Sequence, residues 1–260
     1  MKPAAVLYSP RPEPGLNKRI LHQTRGGSDI AGCRLWVAAD NIGPQADGNL
    51  ISTWTDQSGQ GNHLTTSGTT RPTFQNDIVN GKPVVRFDGS NDELKSTAAS
   101  LINVFSGNDL PHTVIAVIRL RGASGGNDSP WIWASKVSST QRHFYGAHLG
   151  NSSHLLVRSD DSAQTTTTEA GTVSQNWHIY SWVFSGTAIS LFRSRSTIVS
   201  SSAMDRAAVT VDEFRLGGSK TGADPIDIAE VVIYNTALSA ANREQVERYL
   251  SVKYGITVVA

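Results

Sequence analysis

Short apolar runs, many of them alternating with polar residues and separated by clusters of Gly, Asn, Asp or Ser, fill this chain from Leu35 to Tyr234. They include LWVAAD, PVVRFDG, HTVIAVIRL, WIWASK, HFYGAHL, HLLVRSD, WHIYSWVFSG, AISLFRS, EFRLGG and IAEVVIYN. In HIYSWVF, Ile179, Ser181 and Val183 fall on one face and His178, Tyr180, Trp182 and Phe184 on the other. A period of two suits a pleated strand, and closely spaced turn residues join such strands into an antiparallel sandwich. The expectation is a mostly β fold. With 260 residues, 38% of them hydrophobic, the chain carries enough apolar material for one such core.

Two segments depart from the pattern. SAANREQVERYLSVKYG sets Val246, Tyr249, Leu250 and Tyr254 on one helical stripe, with Ser239 as N-cap and Gly255 as the residue just past the end. One C-terminal α-helix is therefore predicted. The other departure is the start, where Pro3, Pro10, Pro12 and Pro14 favour extended backbone without internal hydrogen bonds. Residues 1–30 read as an extended arm and 31–260 as the domain. Residues 1–28 carry Lys2, Arg11, Lys18, Arg19 and Arg25 against Glu13, a net +4, which leaves −3 on the rest of a chain whose total is +1. Such an arm suits an acidic surface, with Val6, Leu7 and Tyr8 as apolar contacts and Arg11, Lys18 and Arg19 as charged ones. The polar run AQTTTTEAG at 163–171 predicts a hairpin tip.

Near-neutral total charge argues against a nucleic-acid partner, whose affinity rests on phosphate neutralisation. Cys33 is the sole cysteine, which excludes an intrachain disulfide and a multi-cysteine metal site. MKPAAVLYSPRPEPGLNKRI lacks the apolar run of a secretory signal, and no later segment approaches the ~20 apolar residues of a membrane helix. Synthesis in the cytoplasm without membrane insertion is expected.

Between these segments lie WTDQSGQGNHLTTSGTTRPTF, from Trp54, and NGKPVVRFDGSNDELKS, from Asn80. Gly, Asn and Asp there supply positive φ and side-chain-to-backbone bonds for sandwich corners, and Trp54 and Phe87 anchor the flanking strands. Read in order, LWVAADN, WTDQSGQGNHL, RPTF, NGKPVVRFDGSNDEL and IAEVVIYNTALSAANREQVERYLSVKYGI resemble the laminin-G-like, concanavalin-A-like jelly-roll family over residues 33 to 256. The resemblance implies an all-β, two-sheet antiparallel jelly-roll sandwich with one C-terminal helix. It implies less about activity, because that fold hosts lectins, adhesion modules, glycan hydrolases and virion proteins. Family members often hold calcium or a sugar at one rim. Asp88, Asn91 and Asp92 match the F-D-G-x-N-D turn and are the calcium candidates; capping of their own turn is the alternative. Where relatives show an acidic pair before the final strand, this chain has Ala229–Glu230.

Catalytic patterns are missing. Glycan hydrolases of this fold place carboxylates two or three residues apart on one strand, and none of the seven glutamates is followed by Asp two residues on. Asp227 and Glu230, three apart, fall on opposite faces of a regular strand. GGSKTG lacks the ending of a phosphate loop, and KTG has no accompanying Ser-x-x-Lys. His143, His148 and His154 form no zinc signature. For glycan contact the candidates are Trp131 and Trp133, which share a face, together with Trp54 and His63 of the 54–63 turn; aromatic stripes of this kind otherwise belong to a core.

These readings point to a noncatalytic structural protein, a bacteriophage virion component such as a head decoration, fibre or tail protein. Its partners would be other virion proteins or further copies of itself, with host or environmental glycans at the rim, and no cofactor unless calcium. The alternative is an extracellular or cell-surface lectin-like adhesion module of bacterial origin. Deleting residues 1–28 is expected to abolish incorporation into particles, read by co-sedimentation, while leaving the body folded. Undiminished incorporation would remove the anchoring role.

Overall fold

The computed structural model describes residues 27–122, 129–135, 142–148, 154–160, 164–168, 174–203, 208, 210–217 and 225–259, with the backbone alone at 129–131, 142–144, 146–148, 154–160, 164–168 and 199–203. The arm residues Val6, Leu7, Tyr8, Arg11, Lys18 and Arg19 lie outside the described residues, as does the side chain of Trp131.

In chain order the described strands are β1 (Cys33–Ala38), β2 (Thr53–Trp54), β3 (Leu64–Thr65), β4 (Thr73–Val79), β5 (Lys82–Phe87), β6 (Glu93–Ser96), β7 (His112–Leu120), β8 (Ser129–Ser135), β9 (Arg142–His148), β10 (His154–Asp160), β11 (Gln164–Thr168), β12 (His178–Phe184), β13 (Ala188–Arg193), β14 (Ser196–Ala203), β15 (Glu213–Gly217) and β16 (Ile226–Tyr234). A one-turn helix α1 (Ala99–Ile102) follows β6, and α2 (Ala240–Tyr254) follows β16. One sheet runs β14-β13-β12-β7-β16-β5-β4 with β1 also paired to β16; the other runs β11-β10-β9-β8-β15-β6-β3-β2. All their pairings are antiparallel. The expected all-β sandwich with a C-terminal helix is the fold observed. The polar run expected at a hairpin tip is instead an edge strand, with Gln164–Thr168 paired to Leu156–Asp160. Four consecutive threonines suit a pleated edge, since β-branching favours extended backbone.

Strand β16 is buried along all nine residues. Ile226, Ile228, Val231 and Ile233 enter the core between the sheets, beside Trp54, Phe87, Trp182 and Phe214. Ala229, Val232 and Tyr234 enter a second apolar layer on the outer face, with Val246, Leu250 and Tyr254 of α2. That layer explains why the strand reads as nearly continuous apolar sequence. Each large side chain so buried contributes about 1.5–3 kcal/mol.

A β-bulge separates Ile228 from Glu230 in the pairing with β7. The edge changes partner there too, from β5 for residues 226–228 to β1 for 230–234. One extra residue resets the alternation. Asp227 and Glu230 therefore share the outer face, contrary to the opposite faces expected of a regular strand. They do not share partners. Asp227 meets arginines of β5 and β7, whereas Glu230 accepts from Trp36 Nε1 (2.7 Å), Lys253 Nζ (2.8 Å) and the Tyr254 hydroxyl (2.7 Å).

The predicted helix ends hold. Ser239 Oγ accepts from Asn242 N at 3.3 Å, and Gly255 closes the helix at φ 63°. Its buried face is not purely apolar: Glu247 accepts from Ser181 Oγ and from Arg243 Nη1, each at 2.7 Å. Burial works most strongly against the Lys253 charge, but Glu230, Tyr249 and Asp40 together outweigh it and the lysine pKa is raised. No helix among the described residues is long and apolar enough to cross a membrane.

Replacing Glu230 leaves Lys253 facing only Asp40, 2.9 Å away, at a poorly exposed position. Glu230→Ala is expected to cost about 3 kcal/mol, the usual scale for removing one partner of a buried ion pair, read by urea denaturation. A loss under about 1 kcal/mol would mean the pair behaves as a surface one.

Candidate functional site

Three tight backbone reversals converge where α2 ends. Asn80 and Gly81 (φ 47° and 70°) join β4 to β5 as a two-residue loop, and Ser194 and Arg195 (φ 46° and 68°) join β13 to β14. Positive φ at both positions is the type I′ geometry that matches strand twist. The third is Gly255, where an added Cβ would lie 3.0 Å from Asn80 Cγ, so the hairpin tip rests on the helix end. Beyond it the tail crosses to the β13–β14 turn, with Val259 N donating to Ser194 O at 3.0 Å.

Between these segments opens a cleft of about 640 Å³. Asn80, Asn176, Trp177, His178, Ser194 and Thr257 supply its polar and aromatic lining, and Ile78, Tyr254 and Ile256 part of its apolar lining. Trp177 is half-buried, and the Arg119 guanidinium lies over its ring at 5.0 Å. His178 packs edge-on against Tyr180, its Nδ1 is 3.4 Å from Ser194 Oγ, and its Nε2 is buried without a partner. Burial first, then the nearby Arg193 charge, depress its pKa to about 4, so the ring is neutral at pH 7.

Beyond Trp177 lies an arginine cluster on the same outer face. Asp227, with no exposed surface, takes Arg86 through Nε (2.7 Å) and Nη2 (3.0 Å) and Arg119 through Nη2 (2.6 Å), while Arg121 Nε stands 3.2 Å away. A hollow of about 250 Å³ is lined there by Arg119, Leu120, Arg121 and Gln175. An aromatic face flanked by amides, hydroxyls and guanidiniums can hold a sugar ring and hydrogen-bond its substituents. Among the described residues, the buried carboxylates Asp227, Glu230, Glu247 and Glu213 are each tied to cations, and Asp56 and Asp92 to backbone N–H groups.

The residues singled out from sequence go elsewhere. Trp54 is fully enclosed in the core. Trp133 is buried on β8, donates through Nε1 to Gly217 O at 2.9 Å and lies under the Arg215 guanidinium. Neither ring faces solvent. His63 is exposed, and its Nδ1 accepts from Asp56 N at 3.1 Å within the 54–63 turn. That turn is a fastener: Asp56 accepts from the backbone N–H of Trp36, Ser58 and Asn62, and Asn62 reaches Arg34 O and Ser100 Oγ. In the calcium candidate, Asp88 Oδ1 accepts from Ser90 N (2.8 Å) and Asn91 N (3.3 Å), and Asp92 Oδ2 from Asp88 N (2.9 Å). Burial and the Asp88 charge raise Asp92 to about 6. Among the described residues no group of three or more His, Cys, Asp or Glu is placed to hold a metal ion. Trp177 and the arginines escaped the sequence reading, although alternation from Ile179 and Val117 places Trp177 and Arg119 on the outer face.

No family model matches this chain, and no curated protein matches it. Solved structures do. Trypanosoma rangeli sialidase in complex with sialic acid matches with a TM-score of 0.58 at 15% identity, over 86% of this chain and 33% of that one. The botulinum neurotoxin serotype D binding domain matches with a TM-score of 0.58 at 11% identity, over 84% of this chain and 51% of that one. A mutant of HCR/D gives 0.61 at 12% identity, over 84% and 52%. The chain thus spans about a third of the sialidase and about half of the other two. Identities this low establish a shared β-sandwich fold.

His178 gives the cleft a pH signature. Its folded pKa lies below the ordinary value of 6.5, so between about 6.5 and about 4 the unfolded chain binds the extra proton and stability falls as pH falls. His178→Gln is expected to remove that part of the acid loss: the variant's melting temperature should decline less than the wild type's from pH 7 to pH 4.5. Parallel declines would show a ring that titrates normally.

Proposed function

We propose that this chain is a noncatalytic carbohydrate-binding module, and that the saccharide lies in the cleft beside Trp177. The observation that carries this reading is a half-buried indole in a concave site edged by Asn80, Asn176 and Ser194. Saccharides are recognised through an apolar ring face and planar or hydroxyl hydrogen-bonding groups, and this lining offers both. The fold supports the reading: among its structural neighbours are a sialidase in complex with sialic acid and a toxin binding domain. Against an enzymatic role, the buried carboxylates among the described residues are engaged in ion pairs or turns rather than facing one another as acid and base.

The laminin-G-like motifs and the proline-rich basic arm extend the proposal to its setting. A bacteriophage particle, with residues 1–30 as anchor and the sandwich displayed outward, accommodates both. A binding module of a longer bacterial surface protein is the second reading, favoured by neighbours in which this fold forms a third to a half of the chain. A gene neighbourhood of capsid and tail proteins supports the first; an adjoining signal peptide or catalytic domain supports the second.

A glycan array screened with wild type and with Trp177→Ala, with and without calcium because of the Asp88–Asp92 turn, tests the binding reading. The variant should bind at least tenfold more weakly, about 1.4 kcal/mol, while remaining folded with a lowered melting temperature, since Trp177 also packs against the outer apolar layer. Retention of no saccharide in either condition, or equal retention by the variant, would overturn it.

A further inference from the structure

We propose that the saccharide held beside Trp177 carries a carboxylate or sulfate, and that Arg119 and Arg121 bind this oxyanion in the hollow next to the indole. The proposal rests on the glycan-binding reading and names its ligand class. It begins from a charge imbalance. Three guanidiniums surround one carboxylate, and Arg86 alone satisfies Asp227 in bidentate fashion. A guanidinium carries five N–H donors. Arg119 uses its Nη2 on Asp227, and Arg121 uses its Nη2 on Phe87 O at 3.1 Å, with Nε in longer ion-pair contact. Arg86 is thus taken up by Asp227 and, through Nη1, by Gln75 Oε1, whereas most donors of Arg119 and Arg121 are unused.

Both Nε atoms are buried, and the accessible donors are those of the guanidinium ends. The side chains of Arg119 and Arg121 keep 29% and 27% of their surface exposed and line the hollow together with Gln175. The guanidiniums repel one another: burial lowers the Arg121 pKa most, and the Arg86 and Arg119 charges lower it further, against the pull of Asp227 and Asp88. Asp47 also acts on Arg86 and Asp88 on Arg121, and Asp88 and Asp92 are at the same time engaged by the backbone of their own turn. An oxyanion would relieve this repulsion while accepting paired N–H groups, the geometry at which arginine excels.

Position joins the two halves of the site. Arg119 lies over the Trp177 ring, and successive residues 175, 176 and 177 line first the hollow and then the cleft. A sugar against the indole therefore directs a ring substituent at the guanidiniums. A hollow of about 250 Å³ suits one such group. An extended polyphosphate would need a longer basic track.

The test uses the full chain on an array of matched neutral, carboxylated and sulfated saccharides, followed by titration of the bound members. Anionic saccharides should bind at least tenfold tighter than their neutral counterparts, and raising salt to about 0.5 M should weaken them selectively. The carboxylated and sulfated arms tell the two oxyanions apart. Arg119→Gln and Arg121→Gln, each leaving Asp227 paired with Arg86, should erase the preference while keeping residual binding that Trp177→Ala removes. Should a variant prove unstable, the wild-type melting temperature provides a second readout: a sulfated or carboxylated saccharide at low millimolar concentration should raise it, and its neutral counterpart at matched ionic strength should not. Equal affinity for neutral and anionic saccharides, or arginine variants with undiminished preference, overturns this inference and leaves glycan binding standing. Binding of no saccharide defeats both.

Discussion

Strand β16 has no solvent-facing side, and most of the molecule follows from that. Its inner residues fill the core between the sheets, which an amphipathic strand can do alone. The outer residues must be covered as well, so the helix that follows is folded back over Val232 and Tyr234. The bulge after Ile228 then determines what else that face contains, because it adds Glu230 to the side that already holds Asp227. Two buried carboxylates on one central strand require cations, and the chain provides them from opposite directions: Lys253 from the helix, arginines from the neighbouring strands. Without its partners either acid would stand as an isolated charge in a low-dielectric interior, at a cost of several kcal/mol.

Fold was legible in the sequence to the extent that it depends on local periodicity. Tyr180, Trp182 and Phe184 face the core, as alternation requires, and Ser239 and Gly255 bound the helix where capping chemistry puts them. The turn at 54–63 was legible in kind, since Asp and Asn side chains bond to nearby backbone. Its larger role was not, because Asp56 and Asn62 also bind β1, whose sequence distance from them carries no local signal.

The candidate site was much less readable. An aromatic stripe in a sandwich signals either core or rim, and composition cannot separate the two: Trp54 and Trp133 proved internal, whereas Trp177, one residue before its strand, lines a cleft. The relation of Asp227 to Glu230 turned on a single inserted residue that hydrophobic pattern does not mark, since Ala229 and Glu230 are both buried. The arginines were individually foreseeable as outward-facing. Their convergence was not, because Arg86 and Arg119 meet Asp227 only through strand pairing between segments far apart in the chain.

The cleft borrows its walls from four separate stretches of polypeptide, and one of them is the tail just past Gly255, stitched to Ser194 by a single strand-like bond. Occupancy and the docking of the segment after Gly255 are consequently one equilibrium. A molecule lodged there would clamp the last turn of the helix to two hairpins and hold residues 256–259 in place, while displacing that segment would open one side of the pocket without touching any residue that contacts the ligand's charge.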